Sequence, residues 1–183
     1  MVTTFSQCKK IIKIEKQKRE NLISGSLSIN KITREHDSVL IKYQKILRLD
    51  EYYSNTAKGL KKILQLWYRW RKNFLGERLG ITIGKNVFDE GLIIWHYGYI
   101  VVNGMAKVGK NCSLHGNNCI GNDGINPEAP IIGNNVDIGA GAIIIGNIRI
   151  ADNVKIGAGA VVVHSIEEEG VTVVGVPARI VRK

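Results

Sequence analysis

From Val102 onward an aliphatic residue returns at every sixth position: Val102, Val108, Leu114, Ile120, Asn126, Ile132, Ile138, Ile144, Ile150, Ile156 and Val162, with Asn126 the single exception. The residue after each is often glycine, as at Gly109, Gly121, Gly133, Gly139 and Gly157, and the fifth of each hexad is mostly small or β-branched, as at Ala106, Cys112, Val136, Ala142, Val154 and Ala160. A period of six suits neither an amphipathic helix nor an alternating strand. It suits a prism in which each hexad supplies one short flat strand and one bend, the aliphatic residue pointing inward and the glycine tolerating the bend. A single rung cannot bury its apolar face, so the rungs must stack as a solenoid.

Upstream the periodicity is helical. In DSVLIKYQKILRLDEYY (37–53), Val39, Tyr43, Ile46 and Leu47 share one face behind a cap at Asp37 or Ser38. In KGLKKILQLWYRWRKNFL (58–75), Leu60, Ile63, Leu64, Trp67, Trp70 or Arg71, and Phe74 fall at helical spacing, and Gly76 is the expected stop. Residues 8–22 are lysine-rich and weakly periodic, and ISGSLSIN (23–30) reads as a loop. The predicted division is a helical region, 1–76, and a β-helical domain, 77–183.

Charge follows the same division. Residues 1–76 carry 17 Lys and Arg against 6 Asp and Glu, whereas 77–183 carry 9 against 10, so the net +10 belongs to the helical region. These basic residues read either as a solvated helical cap on the prism or, with Trp67 and Trp70 among them, as a face for an anionic membrane surface. No nucleic-acid-binding motif accompanies them. Cys8, Cys112 and Cys119 form neither a disulfide framework nor a metal-ligand spacing. With no apolar run long enough to span a bilayer and no signal-peptide core, a cytoplasmic protein is expected, peripheral at most to the membrane.

Histidines are the natural candidates for chemistry. In GLIIWHYGYIVVN (91–103), strict six-residue phase would place His96 in the core, where an unpaired imidazole is costly. The continuous Ile100, Val101 and Val102 predict a slip of phase between 96 and 102, absorbed at Gly98, that turns His96 outward. His115, 19 residues later, is expected beside it on the next coil. GNDGINPEAP (121–130) reads as a loop projecting from a rung.

IGNNVDIGAGAIIIGNIRIADNVKIGAGAVVV, followed by GVPARIV, resembles the hexapeptide-repeat acyltransferases. GLIIWHYGYIVVNGMAKVGKNC is most similar to the serine acetyltransferases and their relatives in surface-polysaccharide gene clusters. The resemblance spans 81–183. It implies a left-handed parallel β-helix with three hexads per coil, a homotrimer with active sites between prisms, and acetyl-CoA as co-substrate without a metal. It also implies that His96 is the general base, and it puts Gly121, Asn122, Gly139, Ala140, Gly157 and Ala158 along the acetyl-CoA groove. Arg179, with Arg182 or Lys183, would meet the phosphates.

Two departures touch the acceptor side. Trp95 and Ile81 stand where the family has aspartates beside and upstream of the catalytic histidine, and the family's second histidine falls near Ala129. Asp89, Glu90 and Asp123 are the carboxylates left to orient His96. Trp95, Tyr97 and His115 are then the candidate acceptor contacts, and an aromatic surface favours a sugar hydroxyl of a capsule or lipopolysaccharide precursor, with L-serine the alternative. Rival readings are an assembly prism without catalysis and a γ-type carbonic anhydrase, which needs three converging histidines.

Overall fold

The computed structural model describes residues 1–22 and 36–181. The loop expected at 23–30, and Arg182 and Lys183, lie outside the described residues. Two compact units are formed, Met1–Leu79 and Gly80–Lys183.

Three helices build the first unit: α1 (Phe5–Glu20), α2 (His36–Thr56) and α3 (Lys61–Leu79). The lysine-rich segment, for which periodicity predicted no element, is therefore the helix α1. Its start is fixed locally: the Thr4 side chain accepts from the Gln7 backbone N–H while Gln7 reaches back to the Thr4 N–H, a reciprocal capping box. Asp37 and Ser38 do not cap α2 but lie in its first turn, where Asp37 pairs with Arg19 of α1. Gly76 does not end α3 either. It is buried inside the helix, which runs to Leu79 and is followed by Gly80 at φ +67°.

Charge as well as apolar contact holds this unit together. The fully buried Arg48 of α2 meets Glu15 of α1 at 2.6 Å and Glu51 at 2.9 Å. Burial works against its charge, yet the two carboxylates outweigh burial and hold the guanidinium pKa above its usual value. Asp50, also buried, accepts Lys72 of α3 at 3.1 Å. Cys8 packs beneath, and its burial pushes the thiol up to about 11. The outer face of α3 is different, because Ile63, Leu66, Trp67 and Trp70 remain exposed, with Arg71 lying over the Trp67 ring at 4.6 Å.

The second unit is a left-handed parallel β-helix. One wall comprises β1 (Ile81–Ile83), β3 (Ile100–Val102), β6 (Cys119–Gly121), β9 (Ile143–Ile145) and β12 (Val161–Val162). The second wall comprises β4 (Lys107–Val108), β7 (Ile131–Ile132) and β10 (Arg149–Ile150). The third comprises β2 (Ile93–Ile94), β5 (Ser113–Leu114), β8 (Asp137–Ile138), β11 (Lys155–Ile156), β13 (Thr172–Val174) and β14 (Arg179–Val181). All pairings are parallel except β13 with β14, which turn back on each other at the end of the prism.

Every aliphatic position of the six-residue register is buried, and so are Ala106, Cys112, Val136, Ala142, Val154 and Ala160 at the fifth position. Burying each large aliphatic side chain contributes about 1.5–3 kcal/mol. Val102 pairs with Ile120 and Ile144 with Val162, offsets of 18 residues. Ile120 pairs with Ile144, an offset of 24, because residues 122–130 leave the rung as a loop. The six extra residues match one hexad in length, which is why the repeat keeps phase through Asn126, a loop residue.

The bends do not lie where the glycine pattern placed them. Most left-handed backbone positions of the repeat are the fourth residues of the hexads, and Asn111, Asn117, Asn135 and Asn153 occupy four of them. Asparagine tolerates this region because its short side chain hydrogen-bonds locally. The asparagines also stack: Asn111 donates to Asn135 and Asn135 to Asn153, each at 3.0 Å. The second-position glycines answer to packing instead, since a Cβ on Gly139 would sit 2.6 Å from the Ala158 nitrogen of the next coil.

Candidate active site

The corner after β2 is where the repeat breaks. Ile94 pairs with Leu114, an offset of 20 rather than 18, so two residues are inserted between Ile94 and Val102. The slip gives Ile94 the inward place that strict phase assigned to His96, and Ile94 is fully buried. His96 and Tyr97 are exposed and Trp95 is half-buried. Gly98 takes up the change at φ +135°, with Tyr99 N–H donating to the Asn117 Oδ1 of the next coil at 3.1 Å.

His96 stacks above Gly116, not above His115. A Cβ on Gly116 would lie 3.3 Å from the His96 Cβ, and Gly116 has φ +112°, so any side chain there would be strained and would crowd the histidine. Beneath this contact the fully buried Asn118 accepts from Gly116 N–H at 2.9 Å and donates to the Gly139 carbonyl at 2.7 Å. A buried amide with its partners satisfied fixes the corner's shape. Sequence reasoning missed both residues, although HGNN breaks the hexad's usual pattern.

Register sets Trp95 against His115, because their strands are offset by 20 residues. Their rings stack at 5.7 Å between centroids, inclined by 26°. His115 Nε2 lies 2.8 Å from Asp137 Oδ1 on the following coil. Asp137 was not among the expected site residues; its place, 22 residues beyond His115, becomes informative only once the loop's length is known.

Two of the three carboxylates proposed to orient His96, Glu90 and Asp123, have other partners. Glu90 pairs with Lys110 at 3.0 Å. Asp123 accepts from the N–H groups of Ile125 and Asn126 at 2.9 and 2.8 Å, hydrogen bonds that hold its carboxyl below the usual range. It organises the loop, where Asn122 donates to the Asn126 carbonyl at 2.7 Å and accepts from Asn103. Ala129, where the family's second histidine falls, is buried.

Of the expected cofactor residues, Gly139 and Gly157 have a packing reason to be small, since a Cβ on either would press into the next coil. Ala140 and Ala158 are exposed on successive coils and leave the backbone approachable. Gly121 ends β6, and nothing lies closer than 3.5 Å to where its Cβ would be. Arg179 is exposed in β14, and its guanidinium donates to the Ala178 carbonyl at 2.9 Å. Among the described residues no group of three or more His, Cys, Asp or Glu is arranged to hold a metal ion.

Comparison with solved structures places this fold among the serine acetyltransferases. The enzyme from Neisseria gonorrhoeae aligns at 28% identity and a TM-score of 0.74, covering 97% of this chain and 66% of that one. That enzyme in complex with serine aligns at 28% identity and a TM-score of 0.73, covering 97% and 70%. A serine acetyltransferase in complex with CoA has the same fold at 22% identity and a TM-score of 0.75, covering 97% and 70%. The chain thus spans about two thirds of the length of these enzymes. No protein-family model matches the sequence. A search of curated proteins finds no match.

Proposed function

We propose that the chain is an acetyl-CoA-dependent O-acetyltransferase of the serine acetyltransferase type, with His96 as its general base. The observation that carries the reading is the two-residue slip that exposes His96 at a corner of a prism whose solved neighbours are serine acetyltransferases. An alcohol is a poor nucleophile at neutral pH, and a histidine is suited to take its proton there. The hydroxyl oxygen then bonds to the thioester carbonyl carbon, the tetrahedral oxyanion collapses, the C–S bond breaks, and CoA leaves as a thiolate. With a thiol pKa of about 8.5 the leaving group needs little acid assistance.

Acetyl-CoA is the co-substrate in this reading. Ala140 and Ala158 would let its pantetheine arm lie along the backbone of successive coils, Gly139, Gly157, Gly121 and Asn122 would border that path, and Arg179 would meet a phosphate. The acceptor is a small molecule with a hydroxyl. L-serine is the better supported choice, because a structural neighbour was crystallised with it. Trp95 is the observation favouring a sugar instead, since an aromatic ring occupies the place of the family's aspartate. A homotrimer with sites between prisms belongs to the proposal, and sedimentation equilibrium tests it.

The deciding experiment follows CoA thiol release with L-serine and with a panel of activated sugars. Turnover with serine alone selects the serine acetyltransferase reading, and turnover with a sugar alone selects polysaccharide modification. Failure of acetyl-CoA to bind in calorimetry, together with no thiol release, would leave an assembly prism.

A further inference from the structure

Trp95, His115 and Asp137 lie on three successive coils at the corner that also carries His96, and together they fix one imidazole in one orientation. The Trp95 ring covers a face of His115 at 5.7 Å, and Asp137 holds the ring edge at 2.8 Å. An ionised carboxylate can only accept, so Nε2 carries the proton shared with Asp137. In the neutral ring Nδ1 is then a bare lone pair, and it has no protein partner among the described residues. His115 and Asp137 are only partly covered, with side-chain exposures of 36% and 45%.

We propose that His115 is a specificity residue whose Nδ1 accepts a hydrogen bond from a second donor of the acceptor, next to the hydroxyl that reacts, and that Asp137 is the positioning residue that sets this tautomer. The inference rests on the acetyltransferase reading above. It identifies the substrate class by chemistry: the acceptor carries an ammonium or a second hydroxyl adjacent to the reacting one. An acceptor whose only polar neighbour is a carboxylate would set that anion against a lone pair. Asp137 acts through His115 and does not itself reach the reacting atoms.

Two measurements test this, one of which is independent of turnover. In ¹⁵N spectra of the unliganded protein, His115 is expected as the Nε2–H tautomer in wild type and in Asp137→Asn, whose amide oxygen still accepts, and as a tautomer mixture in Asp137→Ala. In kinetics with whichever acceptor turns over, Asp137→Ala and His115→Ala should each raise the acceptor KM roughly tenfold, the loss of one hydrogen bond of about 1.4 kcal/mol. The acetyl-CoA KM should hold, and Asp137→Asn should recover most of the loss. If L-serine is the acceptor, 3-hydroxypropionate, which lacks the ammonium, should be poor with wild type and no worse with His115→Ala.

An unchanged tautomer in Asp137→Ala, an unmoved acceptor KM, or an equal rise in both KM values would overturn the inference while leaving acetyl transfer standing. Absence of turnover by wild type with every acceptor would overturn the acetyltransferase reading, and the role of His115 would fall with it whatever its tautomer.

Discussion

The two units of this chain place their polar side chains in opposite ways. In the β-helix three bend residues lie exposed on successive coils, and Asn111, Asn135 and Asn153 satisfy one another in a ladder. In the helical unit a charge is taken fully inside: Arg48 is enclosed by Glu15 and Glu51. A ladder spreads a lost interaction over like neighbours, whereas a single enclosed charge concentrates it. The same contrast holds at the site, where one departure from periodicity exposes His96.

Breaking the enclosed charge should show the largest stability effect. Arg48→Ala leaves two carboxylates buried without their cation and should cost the helical unit about 3–5 kcal/mol, read from the urea dependence of its helical circular dichroism. Ile144→Ala, a single rung of the periodic core, should cost about 2–5 kcal/mol, toward the lower end if adjacent coils relax into the space. A loss for Ile144→Ala well above that for Arg48→Ala would reverse the comparison.

Smaller effects separate bend from ladder. Asn135→Gly keeps the left-handed backbone and loses amide hydrogen bonds, for about 1 kcal/mol, whereas Asn135→Ala adds the steric penalty of about 1–2 kcal/mol. Thermal unfolding of the two variants should differ by that second amount. Cys8 gives a pH-dependent test. Its folded pKa, pushed up to about 11, lies above the ordinary thiol value of 9.0, so the thiol is protonated in both states well below pH 9 and its contribution is complete there. As pH rises through 9 toward 11 only the unfolded chain releases the proton, and stability falls. Cys8 should therefore resist alkylation at pH 8 until the unit unfolds, and Cys8→Ala should flatten stability over pH 9–11.

Smallest of all is the effect expected at a membrane. Ile63, Trp67 and Trp70 of α3 are exposed, with Arg71 over the Trp67 ring, and the proposal to test is that this face meets an anionic surface, to which each basic residue nearby would contribute about 1 kcal/mol. Co-sedimentation with phosphatidylglycerol vesicles, lost in Trp67→Ala/Trp70→Ala and at high salt, would sharpen the difference between the units. Equal retention by the variant would remove it.

The β-helix was legible because its constraint repeats: one inward residue in six, read at ten of eleven places, fixes phase even across a loop. The slip at Gly98 was legible for the same reason, since only a regular pattern makes a break visible. The positions of the bends were not, because glycine attracts attention while asparagine, which holds most of the bends named here, reads as an ordinary polar residue. Helix α1 was missed because its face is mostly polar and its buried members include Glu15 and Arg19, whose pairing depends on residues far along the chain. Asp137 eluded sequence reasoning for a similar reason, its contact with His115 being set by how six residues of loop shift the register.

The central claim is that a break in the repeat delivers a catalytic base, and a single comparison tests it. Thiol release from acetyl-CoA with the accepted acceptor should fall by roughly 10² to 10⁴ in kcat for His96→Ala, with acetyl-CoA affinity by calorimetry unchanged. Turnover by His96→Ala equal to wild type would contradict it.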